Sequence, residues 1–135
     1  MRESAAVATL RRTLYLGALF TIVGGPALAI APHFWLVRVF GQPPYPDYAG
    51  ARMMGVGTFT FGLLMVIVAH HAEEAWWWSW AFVITSTGFA LIALSQALFG
   101  NSPSRMWWGI AVSNAIFAGS LVWGLARTGT ERPPI

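Results

Sequence analysis

The chain has 135 residues, 56% of them hydrophobic and 10% charged, with a net charge of +3 and no cysteine. One domain of this length cannot cover so much apolar surface in water with so few charges. Without cysteine there is no disulfide framework, thiol nucleophile or cysteine-based metal site, and the basic residues are scattered arginines that form no nucleic-acid interface.

Residues 1–12 read as a short polar lead carrying Arg2, Arg11 and Arg12. An apolar run follows over residues 13–31, about 28 Å of helix at 1.5 Å per residue. That length just crosses a hydrocarbon core of about 30 Å. Gly24, Gly25 and Pro26 are expected to loosen or kink its second half. A rival reading takes Arg11 and Arg12, the apolar core and Ala27-Leu28-Ala29 as a cleavable signal peptide. Three further spans follow, so a retained first span completes a four-helix bundle, and that reading is preferred.

Residues 32–47 form the longest connection. Pro32 suits the first turn of a short helix. Phe34, Trp35, Val37, Val39 and Phe40 surround Arg38, which predicts an amphipathic piece in the interface, ended by Gly41. Pro43, Pro44 and Pro46 then stiffen the chain. The second span covers residues 48–69 and the third covers 76–98, with Glu73 and Glu74 near its positive end. Ser102 is expected to cap the fourth span, with Pro103 at its first helical position. That span covers residues 106–126, and residues 127–135 read as a frayed polar tail.

The expected fold is therefore all-α, an antiparallel four-helix bundle integral to a membrane. Arg2, Arg11, Arg12, Arg127 and Arg132 share one side, against Arg38, Arg52 and Arg105 on the other. This bias predicts that both termini of a multi-pass cell-membrane protein are cytoplasmic. Small residues at four-residue spacing mark helix-packing faces: Ala51 with Gly55, Ser86 with Ala90, Ala93 with Ala97, Gly109 with Ser113, Ala111 with Ala115, and Ala115 with Gly119. Such faces suit neighbouring spans, a protein partner or a homo-oligomer.

Arg52 is the leading site candidate, because an arginine one turn into a span is costly unless it snorkels or pairs. It either binds an anionic headgroup or substrate at the mouth of the bundle, or pairs with Asp47 or neighbouring carbonyls. Asn114 and Gln96 carry amides that need partners in lipid. They hydrogen-bond between helices or line a polar pocket. His33 stands alone beside Pro32. His70, His71, Glu73 and Glu74 have spacing that can chelate a divalent metal, but they fall in a turn at the membrane edge. All three histidines lie at span ends, which disfavours haem ligation across the bundle. No cofactor is expected. No Asp or Glu lies within any span, which argues against a proton-driven exporter. No nucleophile triad or phosphate loop is present.

Pro32, Gly41, then Arg52-Met53-Met54-Gly55 opening a span that also carries Gly62, resembles the small four-helix bacterial membrane proteins called DoxX-like or BphX-like. The resemblance covers roughly residues 14–98. It implies a bacterial cytoplasmic-membrane protein, maps only Arg52 and Gly55 onto the shared pattern, and transfers no catalytic residue. The expected role is an accessory or structural subunit of a membrane assembly rather than an enzyme. The alternative is a binder or carrier of a small lipophilic molecule (a quinone, lipid or aromatic) in a pocket between the helices near Arg52 and Asn114.

Overall fold

The computed structural model describes residues 4–131, and all their regular structure is helical. Helix α1 spans Ala5–Ile30, α2 Ala49–His70, α3 Ala72–Ala75, α4 Ser79–Phe99 and α5 Arg105–Glu131. A π-helical turn, Phe34–Val39, lies between α1 and α2, and a 3-10 turn, Trp76–Trp78, leads from α3 into α4. Four helices are long and apolar enough to cross a membrane: α1, α2, α5 and the run from Ala72 to Phe99. Large apolar side chains face outward along them, with Phe20 and Ile30 each 76% exposed and Phe99 83%. Water disfavours that much uncovered apolar surface, whereas lipid tails are as apolar as the side chains. The chain is a multi-pass, all-α membrane protein built as a four-helix bundle.

Two helices run past their expected ends. Helix α1 begins at Ala5, because Ser4 is extended and its Oγ accepts a hydrogen bond from Val7 N at 3.2 Å. Such a cap satisfies one of the free donors at a helix start. Ala6, Val7 and Leu10 are fully buried, so much of the expected polar lead is core. The helix also continues through Pro26 to Ile30. At the far end α5 continues to Glu131, with Thr128 buried along the extension. Only the last residues of the expected tail, 132–135, lie outside the described residues, as do residues 1–3 of the lead.

The expected cap of the fourth span is corrected. Helix α5 starts at Arg105, and the carbonyl of Ser104 accepts its first bond from Trp108 N at 2.9 Å. The Ser102 hydroxyl instead accepts a hydrogen bond from Trp107 Nε1 at 2.9 Å. The π-helical turn after α1 ends at Val39, and Gly41 follows with a φ of +69°, the only positive φ among the described residues. Glycine adopts that backbone without a Cβ clash.

Helix α1 packs along α2 on one side and α5 on the other, and α4 packs along α5. All four spans meet at the end that carries the start of α1. There Leu10, Leu14 and Ala18 pack with Met65 and Ala69, Phe82 and Val83, and Leu121 and Leu125. Phe61 of α2 meets Phe82 of α4 edge to face, with ring centroids 5.0 Å apart. Toward the other end the seams are built from small residues. A Cβ on Gly25 would sit 2.6 Å from Gly55 O, and one on Gly55 would sit 2.7 Å from Ala29 N. The two backbones therefore touch, as glycines permit in lipid. Ser86 and Ala93 of α4, with Ala111 and Ala118 of α5, are buried in the helical part of the molecule where those two spans meet.

Replacing Gly55 with Leu should therefore wedge α1 from α2. The expected loss is about 1–3 kcal/mol, as for overpacking of a filled interior. Gly57 lies on the same helix with nothing within 4 Å of a Cβ, so Gly57→Leu should leave stability unchanged. Reversible unfolding in mixed detergent micelles checks both.

Candidate functional site

The arginine at the head of α2 is spent on the neighbouring helix. Arg52 Nη1 donates to Ala29 O at 2.8 Å and to Ile30 O at 3.4 Å. These are carbonyls of the last turn of α1, where a helix leaves carbonyls without intrahelical donors. A cation also suits the negative end of the α1 dipole. Of the two pairings expected for a structural Arg52, the carbonyl pairing is present. Asp47 serves α2 instead, its Oδ1 accepting from Ala49 N at 2.9 Å.

The opposite end of the same helix pair repeats the arrangement. Arg11 of α1 donates from Nε to Ala69 O, in the last turn of α2, at 2.9 Å. Each of the two antiparallel helices thus carries an arginine near its start that caps the end of the other. Sequence reading placed Arg11 in the polar lead and missed this role. Its signal was present: an arginine near the start of each of two consecutive antiparallel spans.

His33 lies near the Arg52 end. Its ring packs edge-on against Tyr48 with centroids 5.7 Å apart, and Tyr48 in turn meets Tyr45 at 6.0 Å. The connection that holds them is anchored by Gln42, only 2% exposed. Gln42 N donates to Leu36 O at 2.8 Å, and Gln42 Nε2 donates to Pro103 O at 2.9 Å. That second bond ties the α1–α2 connection to the α4–α5 connection. The Gln42 Oε1 atom is buried without a partner. No sequence signal marked Gln42, because a single amide after a glycine is common in loops.

The other candidates are not gathered there. Asn114 lies within α5, and its Nδ2 donates to Ile110 O of the same helix at 2.9 Å. Gln96 is exposed near the end of α4, where its carbonyl accepts from Gly100 N at 2.9 Å. So Arg52 and His33 share one end of the bundle, while Asn114 and Gln96 sit on the other helix pair. His70 and His71 stack edge-on at 5.2 Å, and His71 Nδ1 lies 3.0 Å from Ile67 O. Among the described residues no three His, Asp or Glu side chains lie close enough together to hold a metal ion. Glu73 and Glu74 fall in α3, in its first turn.

The surface also carries open apolar features away from these residues. One, of about 420 Å³, runs between α4 and α5 past Ala90, Leu94, Trp108, Ala111 and Ala115. The other is a shallow, open patch on α1 beside Arg12, Tyr15, Leu16 and Leu19. Neither is lined by Arg52, His33, Gln96 or Asn114. No family model, curated protein or solved structure matches this chain.

Arg52→Ala frees two carbonyls at an exposed helix end and should cost about 0.5–1 kcal/mol. Gln42→Leu removes the bond between the two connections and should cost a similar amount, about 1 kcal/mol. The two effects are distinguishable by hydrogen exchange. The first should deprotect the end of α1, and the second should deprotect the segment around Pro103 as well.

Proposed function

We propose that this chain is an accessory or structural subunit of a membrane assembly, and that α5 offers the seat for a partner helix. The observation that supports this reading is the outward face of α5. Gly109, Val112, Ser113, Ile116, Gly119 and Trp123 recur there at helical spacing, and all are exposed. Nothing lies within 4 Å of a Cβ built on Gly109 or on Gly119. The small residues at the α1–α2 and α4–α5 seams are used inside the bundle, but these are not. Ser113 Oγ donates to Ile110 O of its own helix at 3.2 Å, so the face has no hydroxyl that calls for water. Between helices in lipid, close backbone approach and packing drive association. A face with shallow glycine notches beside Val112, Ile116 and Trp123 has the shape for that contact.

The assignment of the chain to a bacterial cytoplasmic membrane with both termini inside belongs to the same proposal. It rests on the arginine bias and on the DoxX-like pattern around Arg52 and Gly55. The non-enzymatic character rests on the lack of a nucleophile pattern and on the confinement of acidic residues to the span ends, at Glu73, Glu74 and Glu131.

Extraction in mild detergent should recover the chain with a stoichiometric partner, or as a defined homo-oligomer. Gly109→Ile combined with Gly119→Ile should release that partner and leave the thermal midpoint of the isolated chain unchanged. A strictly monomeric chain with no stoichiometric companion would overturn the reading.

A further inference from the structure

Arg11 and Arg12 are adjacent in sequence and opposite in use. Arg11 turns inward to the end of α2. Arg12 is exposed, and among the described residues it makes no hydrogen bond or ion pair. It stands instead at the head of an open, shallow patch on α1 that Tyr15, Leu16 and Leu19 continue. These residues follow at spacings of three, four and seven, so they lie on one face of α1. Leu16 is 60% exposed and Leu19 59%, and Phe20 and Val23 extend the same apolar strip. The rise from Arg12 to Val23 is about 16 Å at 1.5 Å per residue. That is close to half of a hydrocarbon core of roughly 30 Å, the depth of one leaflet.

We infer that this face of α1 is a binding site for one anionic glycerophospholipid. The Arg12 guanidinium takes the phosphodiester through charge-assisted hydrogen bonds. The Tyr15 hydroxyl, one turn further on, donates to the headgroup or glycerol region, where aromatic residues with a polar tip are favoured. An acyl chain lies along Leu16, Leu19, Phe20 and Val23. Charge complementarity selects this occupant. An unpaired cation at the rim of an apolar strip one leaflet deep suits a molecule with an anionic head and a hydrocarbon tail. A partner helix with an apolar flank would leave the guanidinium unpaired at the interface.

Native mass spectrometry of the full chain, released from detergent with phosphatidylglycerol or phosphatidylcholine added, tests the site. The wild-type chain should retain one phosphatidylglycerol in preference to phosphatidylcholine. Arg12→Gln should weaken phosphatidylglycerol binding about fivefold, the effect of one basic side chain at an anionic surface, and erase the preference. Leu19→Ser should weaken both lipids. Arg127→Gln removes an exposed arginine near the end of α5 that is not part of the α1 patch, and it should change nothing. Millimolar inorganic phosphate should fail to displace the lipid. Equal retention of the two lipids by the wild-type chain, an unchanged Arg12→Gln variant, or an equal loss in Arg127→Gln would each overturn the inference. Displacement by inorganic phosphate would also overturn it, since the site would then hold a free anion. The phosphate arm uses the wild-type chain and does not depend on how any variant folds.

Discussion

The contact between α1 and α2 is the constraint on which the rest of the molecule depends. At Gly25 and Gly55 the two backbones approach so closely that a Cβ on either would collide with the other chain segment. Arginine clamps lie on both sides of that crossing, Arg11 on Ala69 O and Arg52 on Ala29 O. The glycines fix the distance and the clamps fix the antiparallel register. In lipid no hydrophobic force drives helices together, so close packing and polar contacts of this kind have to supply the association. The clamps also answer an electrostatic problem. An arginine near a helix start faces the positive end of its own dipole, but here each guanidinium meets the negative end of a neighbour.

The remaining two spans are held differently at the two ends. Near the start of α1, side chains from all four spans interlock, and Phe117 of α5 covers Gly17 of α1. The opposite end has less shared core. There the link between the helix pairs includes a bond between connections, from Gln42 to Pro103. A buried amide is an economical tie, since it offers both a donor and an acceptor. Its unpartnered Oε1 is the residual cost of that burial. The conformation that brings Gln42 inward depends on Gly41, whose positive φ reverses the chain after the π-helical turn.

Much of this architecture was legible in the chain itself. Four apolar runs with few charges give four spans, because backbone groups in lipid must be satisfied within a helix. Proline and glycine punctuation located the connection after α1 and the turn at Gly41 that follows its short helical piece. Helix ends were less legible where propensity and packing act together. Ala6, Val7 and Leu10 sit among polar neighbours in sequence but are buried by contacts from other spans. Ser102 followed by Pro103 reads as a helix start in sequence, yet the helix begins at Arg105 and the Ser102 hydroxyl accepts from Trp107 Nε1. The candidate residues were recognised by type but not by grouping. Asn114 and Gln96 satisfy or expose their groups on α5 and α4, away from the Arg52 end, because their side chains found partners or room on their own helices.

The sequence by itself determined the number of spans, the membrane environment and the expense of each charge near it, since hydropathy and helix length are local properties. The tertiary structure alone decided which charge is used for what. Arg11 and Arg12 are neighbours with identical chemistry. One faces α2 and closes a helix end, and the other faces outward above an apolar strip of α1. Successive residues on a helix point about 100° apart, so only the position of the neighbouring helix makes one of them internal and leaves the other for a ligand. Arg52 follows the same rule. The sequence marked it as a charge in need of a partner, and the approach of α1 supplied that partner.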